Sequence, residues 1–345
     1  MAACDEAPYP VLWRRMRISG NLLTLVVLAL GSLAQTPAPQ AEKPAPAPAP
    51  WRVALTDLKP DATINIGGTR AIAVTDEAAW ITSREAGSVT RVDPKTNAVA
   101  KTISIGKEPC GGILSAFGSL WSPLCGQSAV ARVDPKKDEV SATFPSSLAA
   151  EFTAIASAVG SVWLLTDNKG TLVRVDPATN TTVAEIYLPP GANAMAFGQD
   201  ALWITSGARD VLVRLNPYTN LIVETIKVGK GPRSVAIGEG AVWTLNQNGS
   251  VSRVDPKTNK VAETIQIGAA AGSAGQIVTG AGSVWVSRAG APLTRIDPRT
   301  NHVVQQFTGT DGGVVAFGQQ SLWLAATPVA VWRLDPKLIE ATRPK

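Results

Sequence analysis

The chain of 345 residues carries one histidine, three cysteines, three methionines and three tyrosines, and only 17% of it is charged. Each shortage excludes something. With His302 alone, no Ser-His-Asp or Cys-His set and no imidazole-bound metal site can be assembled. The net charge of +5 comes without a basic run or a stripe of arginines and aromatics, so nucleic acid is not an expected partner. Helical periodicity is missing between the apolar runs, and with it any glycine-rich loop leading from a strand into a helix to cradle a phosphate.

Tryptophan, by contrast, is plentiful and regular. Trp80, Trp121, Trp163, Trp203, Trp243, Trp285 and Trp323 recur in register with Arg91, Arg132, Arg174, Arg214, Arg253, Arg295 and Arg333. Self-similarity at a period of about forty residues marks a stacked or circular array. An apolar residue, from Ile72 to Val315, stands eight before each tryptophan, with turns such as Gly238-Glu-Gly240 or Ala281-Gly-Ser283 between, which predicts a tight hairpin of strands a and b. Strand c leads into Asp-Pro-x-Thr-Asn, as at Asp255 to Asn259, where Asp accepts local backbone bonds, Pro presets φ and Asn tolerates the left-handed region. Strand d follows and ends near Gly268. In strand c both faces are apolar, as at Val251 and Val254, which suits a sheet sandwiched between two neighbours. The expected fold is all-β, a seven-bladed β-propeller of four-stranded antiparallel blades.

Residues repeated in every unit read as architecture. The tryptophans serve as wedges between blades, and the arginines pack their stems there while the guanidinium finds a carboxylate or a carbonyl, with the Asp of the turn that follows, such as Asp93, Asp134 or Asp255, as the expected neighbour. The last unit lacks a good strand d after Pro336, whereas Asp61 to Gly67 resembles one, so an N-terminal outer strand is expected to close the ring. A strand at Leu338 to Thr342 is the rival closure.

Residues 1–34 read as a pre-region and secretory signal cleaved after Ala34, with Met16 as a possible true start. Its apolar core is short for a membrane span, so contact with a membrane is expected only if the signal stays uncleaved. Residues 35–56 form a Pro/Ala-rich linker and 57–345 the propeller. Cys110 and Cys125 flank the a/b hairpin of the second unit and are expected to pair in an oxidising compartment, secreted or periplasmic.

Chemistry has to be sought where the units differ, at the end of the channel where the d-to-a and b-to-c connections gather. The candidate ligand-binding rim is Arg70, Arg84, Glu151, Asp167, Asn193, Arg209, Arg233 and Arg288, a mixed polar set able to hold an anionic small molecule, a peptide, a protein or a glycan. No catalytic residue, metal ligand or cofactor is assigned, and a monomer is expected.

The run Gly238-Glu-Gly-Ala-Val-Trp243, followed by Val-Ser-Arg-Val-Asp-Pro-Lys-Thr-Asn from Val251, resembles the YVTN-type propeller repeat family and the streptogramin (virginiamycin B) lyase-like proteins over residues 61–336. The resemblance implies a propeller and, for the lyases, a histidine acid or base with a carboxylate-bound magnesium at the channel mouth. No histidine occupies a rim connection here, so those catalytic residues are not carried over. The expected function is an exported binding or interaction module; the alternative is a lyase-like enzyme with a non-standard site.

Overall fold

The computed structural model describes residues 49–148, 154–268 and 275–342. The expected leader, most of the linker and Glu151 lie outside them.

Seven antiparallel sheets form the propeller, one blade each. Blades 1 to 6 cover residues 69–104, 114–145, 155–187, 192–227, 232–266 and 275–308, each as four consecutive strands, a to d. The a strands of neighbouring blades contact one another and surround the channel. Glycine permits the closest of these approaches: a Cβ at Gly198 would come within 2.9 Å of Ile237 in the next blade, and one at Gly280 would run into the Phe317 ring.

Strands b and c are buried on both faces, including Val251 and Val254. The seven tryptophans are all at most 3% exposed. Each pairs in register with its arginine across strands b and c, from Trp80 with Arg91 to Trp323 with Arg333. In blades 2 to 7 the guanidinium stands 4.7 to 5.7 Å from the indole centroid, within cation–π range. In blades 2 to 6 the indole N–H donates to the carbonyl five residues back, at 3.0 Å in each case. Burying so large a side chain with its one donor satisfied combines hydrophobic gain with no polar penalty.

The arginines do not turn to the Asp that follows them. They reach into the c/d turn of the next blade. Arg132 donates to the Pro177 carbonyl and Asn180 Oδ1 at 2.7 and 3.3 Å, and Arg214 to the Pro256 carbonyl and Asn259 Oδ1 at 3.0 and 2.8 Å. Arg174 and Arg253 reach Asn220 and Asn301 in the same way, and Arg91 meets Asp138 at 3.2 Å. The Asp of each turn is used locally instead: Asp255 Oδ1 accepts from the Lys257 N–H at 2.8 Å, and Asn216 does the same for Tyr218. The last residue of the turn is the one held at positive φ, 56° at Asn259 and 61° at Asn220, which Asn tolerates.

Ring closure follows the expected route. Strand Ala62–Asn65 pairs antiparallel with Ala330–Leu334 as the outer strand of blade 7. The rival segment forms a short helix, Pro336–Ala341, capped by Asp335. One part of the linker is ordered differently from expectation. Trp51–Ala54 lies parallel against Gln305 to Thr308 as a fifth strand on blade 6. The 3-10 turn Leu55–Asp57 then carries the chain on toward blade 7, burying Leu55 and Leu58 against Leu293 and Phe307. This strap spans the one junction where the usual contact is replaced: Arg295 bonds Gln305 of its own blade and pairs with Glu340 at 3.3 Å.

The candidate functional site at the channel mouth

Three of the rim residues share one structural device. Arg70, Asn193 and Arg233 occupy the same place at the start of strand a in blades 1, 4 and 5. In each, the ladder to strand b skips that residue: Thr69 and Ala71 pair with Ser83 and Thr82, Ala192 and Ala194 with Ser206 and Thr205, Pro232 and Ser234 with Asn246 and Leu245. A bulge of this kind frees a residue from the pleat and re-aims its side chain. Here it re-aims two guanidinium groups and an amide at equivalent points of three blades.

The surroundings differ. Asn193 spans two blades, its Nδ2 donating to the Pro232 carbonyl at 3.0 Å while its Oδ1 accepts from the Thr205 hydroxyl at 2.6 Å. Gly207 makes room for this group, since a Cβ there would stand 2.8 Å from Asn193 Nδ2 and 3.9 Å from Arg233 Nε. Arg233 is gripped by Gln247, whose amide oxygen, turned toward it, accepts from Nε and Nη2 at 2.7 and 2.6 Å. Arg70 is different. Its Nε is buried with no hydrogen-bond partner. Burial first, and the nearby charge of Arg84 second, lower its affinity for its proton from the usual arginine range. Arg84 is exposed and meets Glu108 at 3.3 Å.

Arg288, Asp167 and Arg209 stand elsewhere. Arg288 is 5% exposed, and its Nη2 donates to the carbonyls of Ile267, at 2.8 Å, and Gly268, bracing a d-to-a connection. Asp167 has both oxygens engaged: Oδ1 accepts from the N–H groups of Lys169, Gly170 and Thr171, and Oδ2 from the Thr171 hydroxyl at 2.9 Å. Burial opposes its charge, but the bonds from Thr171 and its neighbours outweigh it and hold the carboxyl below the usual range. Arg209 is exposed, and its carbonyl accepts from Lys227 Nζ at 3.0 Å. Gln247 was not among the expected rim residues; its place in the b-to-c connection of the blade that carries Arg233 is the signal that could have found it.

Beneath the mouth the channel turns apolar. A cavity of about 330 Å³ is lined by strand a residues of blades 1, 5, 6 and 7, among them Ile72, Val235, Ile277 and Val315, with Phe317 farther down. At the mouth end of blade 2, Cys110 and Cys125 form the expected disulfide, tying a d-to-a connection to a b-to-c turn with Cα atoms 5.8 Å apart.

The magnesium and histidine implied by the lyase resemblance do not fit these residues. Among the described residues no three His, Cys, Asp or Glu side chains gather as a metal site. His302 opens strand d of blade 6, beside Asp297 at the end opposite the mouth.

Neither a family model nor a curated relative matches the sequence. Solved structures do match the fold. A structure described as streptogramin B lyase superposes with a TM-score of 0.68 at 18% identity, covering 79% of this chain and 96% of its own. Virginiamycin B lyase from Staphylococcus aureus gives 0.68 at 17% identity, over 79% and 97%. A catalytically inactive histidine-to-alanine variant of that lyase, with Quinupristin, gives 0.67 at 18% identity over the same shares. By its fold, then, this chain is a seven-bladed propeller built like the streptogramin B lyases.

Proposed function

We propose that this chain is an extracytoplasmic binding module that takes the anionic group of a small molecule or peptide at its channel mouth. The observation that carries this reading is Arg70: a half-buried arginine whose Nε is buried and unpartnered, set beside a second arginine. Leaving a buried N–H of a cation unsatisfied is costly, and a bound carboxylate or phosphate would relieve that cost. Asn193 and Arg233, on the equivalent bulges, supply further polar groups. The disulfide supports an oxidising compartment.

The fold likeness favours a second reading, a lyase-like enzyme. Against it stand the position of His302 and the full engagement of Asp167. Calorimetry of the purified protein with inorganic phosphate and acetate, with and without chelator, separates the two. A binding module responds to the anion, ignores chelator and loses about tenfold in affinity or more on Arg70→Gln, since a charge-assisted hydrogen bond contributes roughly 1.5–3 kcal/mol. Turnover of a cyclic depsipeptide that stops with chelator would overturn it.

A further inference from the structure

The mouth and the cavity beneath it belong to the same strands. Arg70 and Arg233 precede Ile72 and Val235 by two residues, which is roughly 7 Å along a strand. Ile72 and Val235 join Ile277 and Val315 in a collar of aliphatic side chains, and Val74 and Ile237 continue it downward. A small hydrophilic anion would satisfy Arg70 and leave the cavity within this largely buried collar unused. An anion with a slender apolar tail would use both, and a cavity of about 330 Å³ lies at the small end of ligand pockets, which run from roughly 300 to 1,000 Å³.

Building on the anion-binding reading above, we infer that the ligand is an amphiphilic anion, a carboxylate or phosphate head on an unbranched alkyl chain. The head sits at Arg70, and the chain descends past Ile72 and Val315 of the adjoining strands. The bulges make this combination possible. In blades 1 and 5 they release Arg70 and Arg233 at the mouth while the same strands supply Ile72 and Val235 to the cavity two residues further on.

The test is calorimetric titration of the purified protein with straight-chain carboxylates from acetate to decanoate, with octyl phosphate and inorganic phosphate as the second head-group pair and decanol as an uncharged control. Affinity should rise by roughly fourfold for each added methylene, the equivalent of about 0.8 kcal/mol. Arg70→Gln should weaken every anion by a similar factor and leave the chain-length dependence intact. Ile72→Phe should flatten that dependence and spare acetate and phosphate; Ile72→Thr, which keeps the side-chain branching, should flatten it in part and guards against a misfolded phenylalanine variant. Arg70-dependent binding of the short anions with no gain from longer chains would overturn this inference and leave the anion-binding reading standing. Chain-length dependence unchanged in both Ile72 variants, or decanol binding as tightly as decanoate, would also overturn it. Absence of binding by every anion would overturn both.

Discussion

Arg333 Nη1 in the last blade donates to Asn97 Oδ1 in the first at 2.9 Å, with the Pro94 carbonyl as its second acceptor. It is the contact Arg132 makes to Asn180 and Arg214 makes to Asn259, so the ring closes on itself with its own repeated joint. In each case a cation already stacked on a buried indole is held from the far side by neutral acceptors of a turn, a proline carbonyl and an asparagine amide. The joint satisfies the guanidinium without burying a second charge, and so avoids most of the desolvation cost of an ion pair.

Breaking one joint is the first prediction. Asn259→Ala removes the acceptor of Arg214 and places alanine at a φ of 56°. The expected loss is roughly 2 kcal/mol, read as a shift of the urea midpoint. Asn259→Gly, which tolerates the backbone but lacks the acceptor, should fall between the two, and equal midpoints for wild type and the alanine variant would refute the role.

The strap over the blade 6/7 junction should matter as much. Leu55 is 6% exposed and packs with Phe307. Leu55→Ala should cost about 2–5 kcal/mol, as for other buried leucines. A chain starting at Pro60 should lose stability relative to one starting at Ala47; matching melting curves would show the strap to be dispensable.

Reduction of the Cys110–Cys125 bridge, which closes a separation of 15 residues, should lower stability by about 3 kcal/mol in the chain-entropy account. Reducing and non-reducing melts compared with a Cys110→Ser/Cys125→Ser variant check this: only the wild type should respond to reductant.

Acid should weaken the c/d turns. The backbone N–H of Lys136 holds the Asp134 carboxyl below the usual range, and that of Lys257 does so for Asp255. A carboxyl that releases its proton more readily folded than unfolded contributes fully above the unfolded value, about 3.9, and that contribution is lost as pH falls through the lower folded value. An Asp134→Asn/Asp255→Asn variant keeps the turn, as Asn216 already does in blade 4, and removes the titration. Its Tm should fall less steeply than that of the wild type between pH 5 and 2; parallel curves would sink the account.

Much of this was legible in the sequence because a repeat reports itself seven times. Trp80 to Trp323 announced the blades, and the weak copy of strand d after Pro336, set against the good one at Asp61, announced the closure. What stayed hidden depends on how blades are placed in space. Asn180 and Asn259 read as turn formers, and nothing local to their sequence shows that the arginine of the preceding blade docks on them. Trp51 to Ala54 was masked by its proline-rich neighbours. At the mouth, Arg70, Asn193 and Arg233 were recognisable as variable residues, but the bulges they share, and the burial that takes Arg288 away, are products of packing.

Gln305 draws the strap and the C-terminal helix together. Trp51 pairs with its backbone, and its side-chain amide donates to the Ile339 carbonyl and the Thr342 hydroxyl at 2.8 and 2.9 Å. The first strand and the last helix of the described ring thus meet at one residue, although 291 positions separate Trp51 from Thr342. Chain order is therefore nearly irrelevant to the finished ring. A short linker across Gln305 and a cut at an exposed a/b turn, such as Phe117-Gly118, which carries none of the arginine joints, would give a circular permutant with its joints intact and a blade order that starts wherever the cut is made.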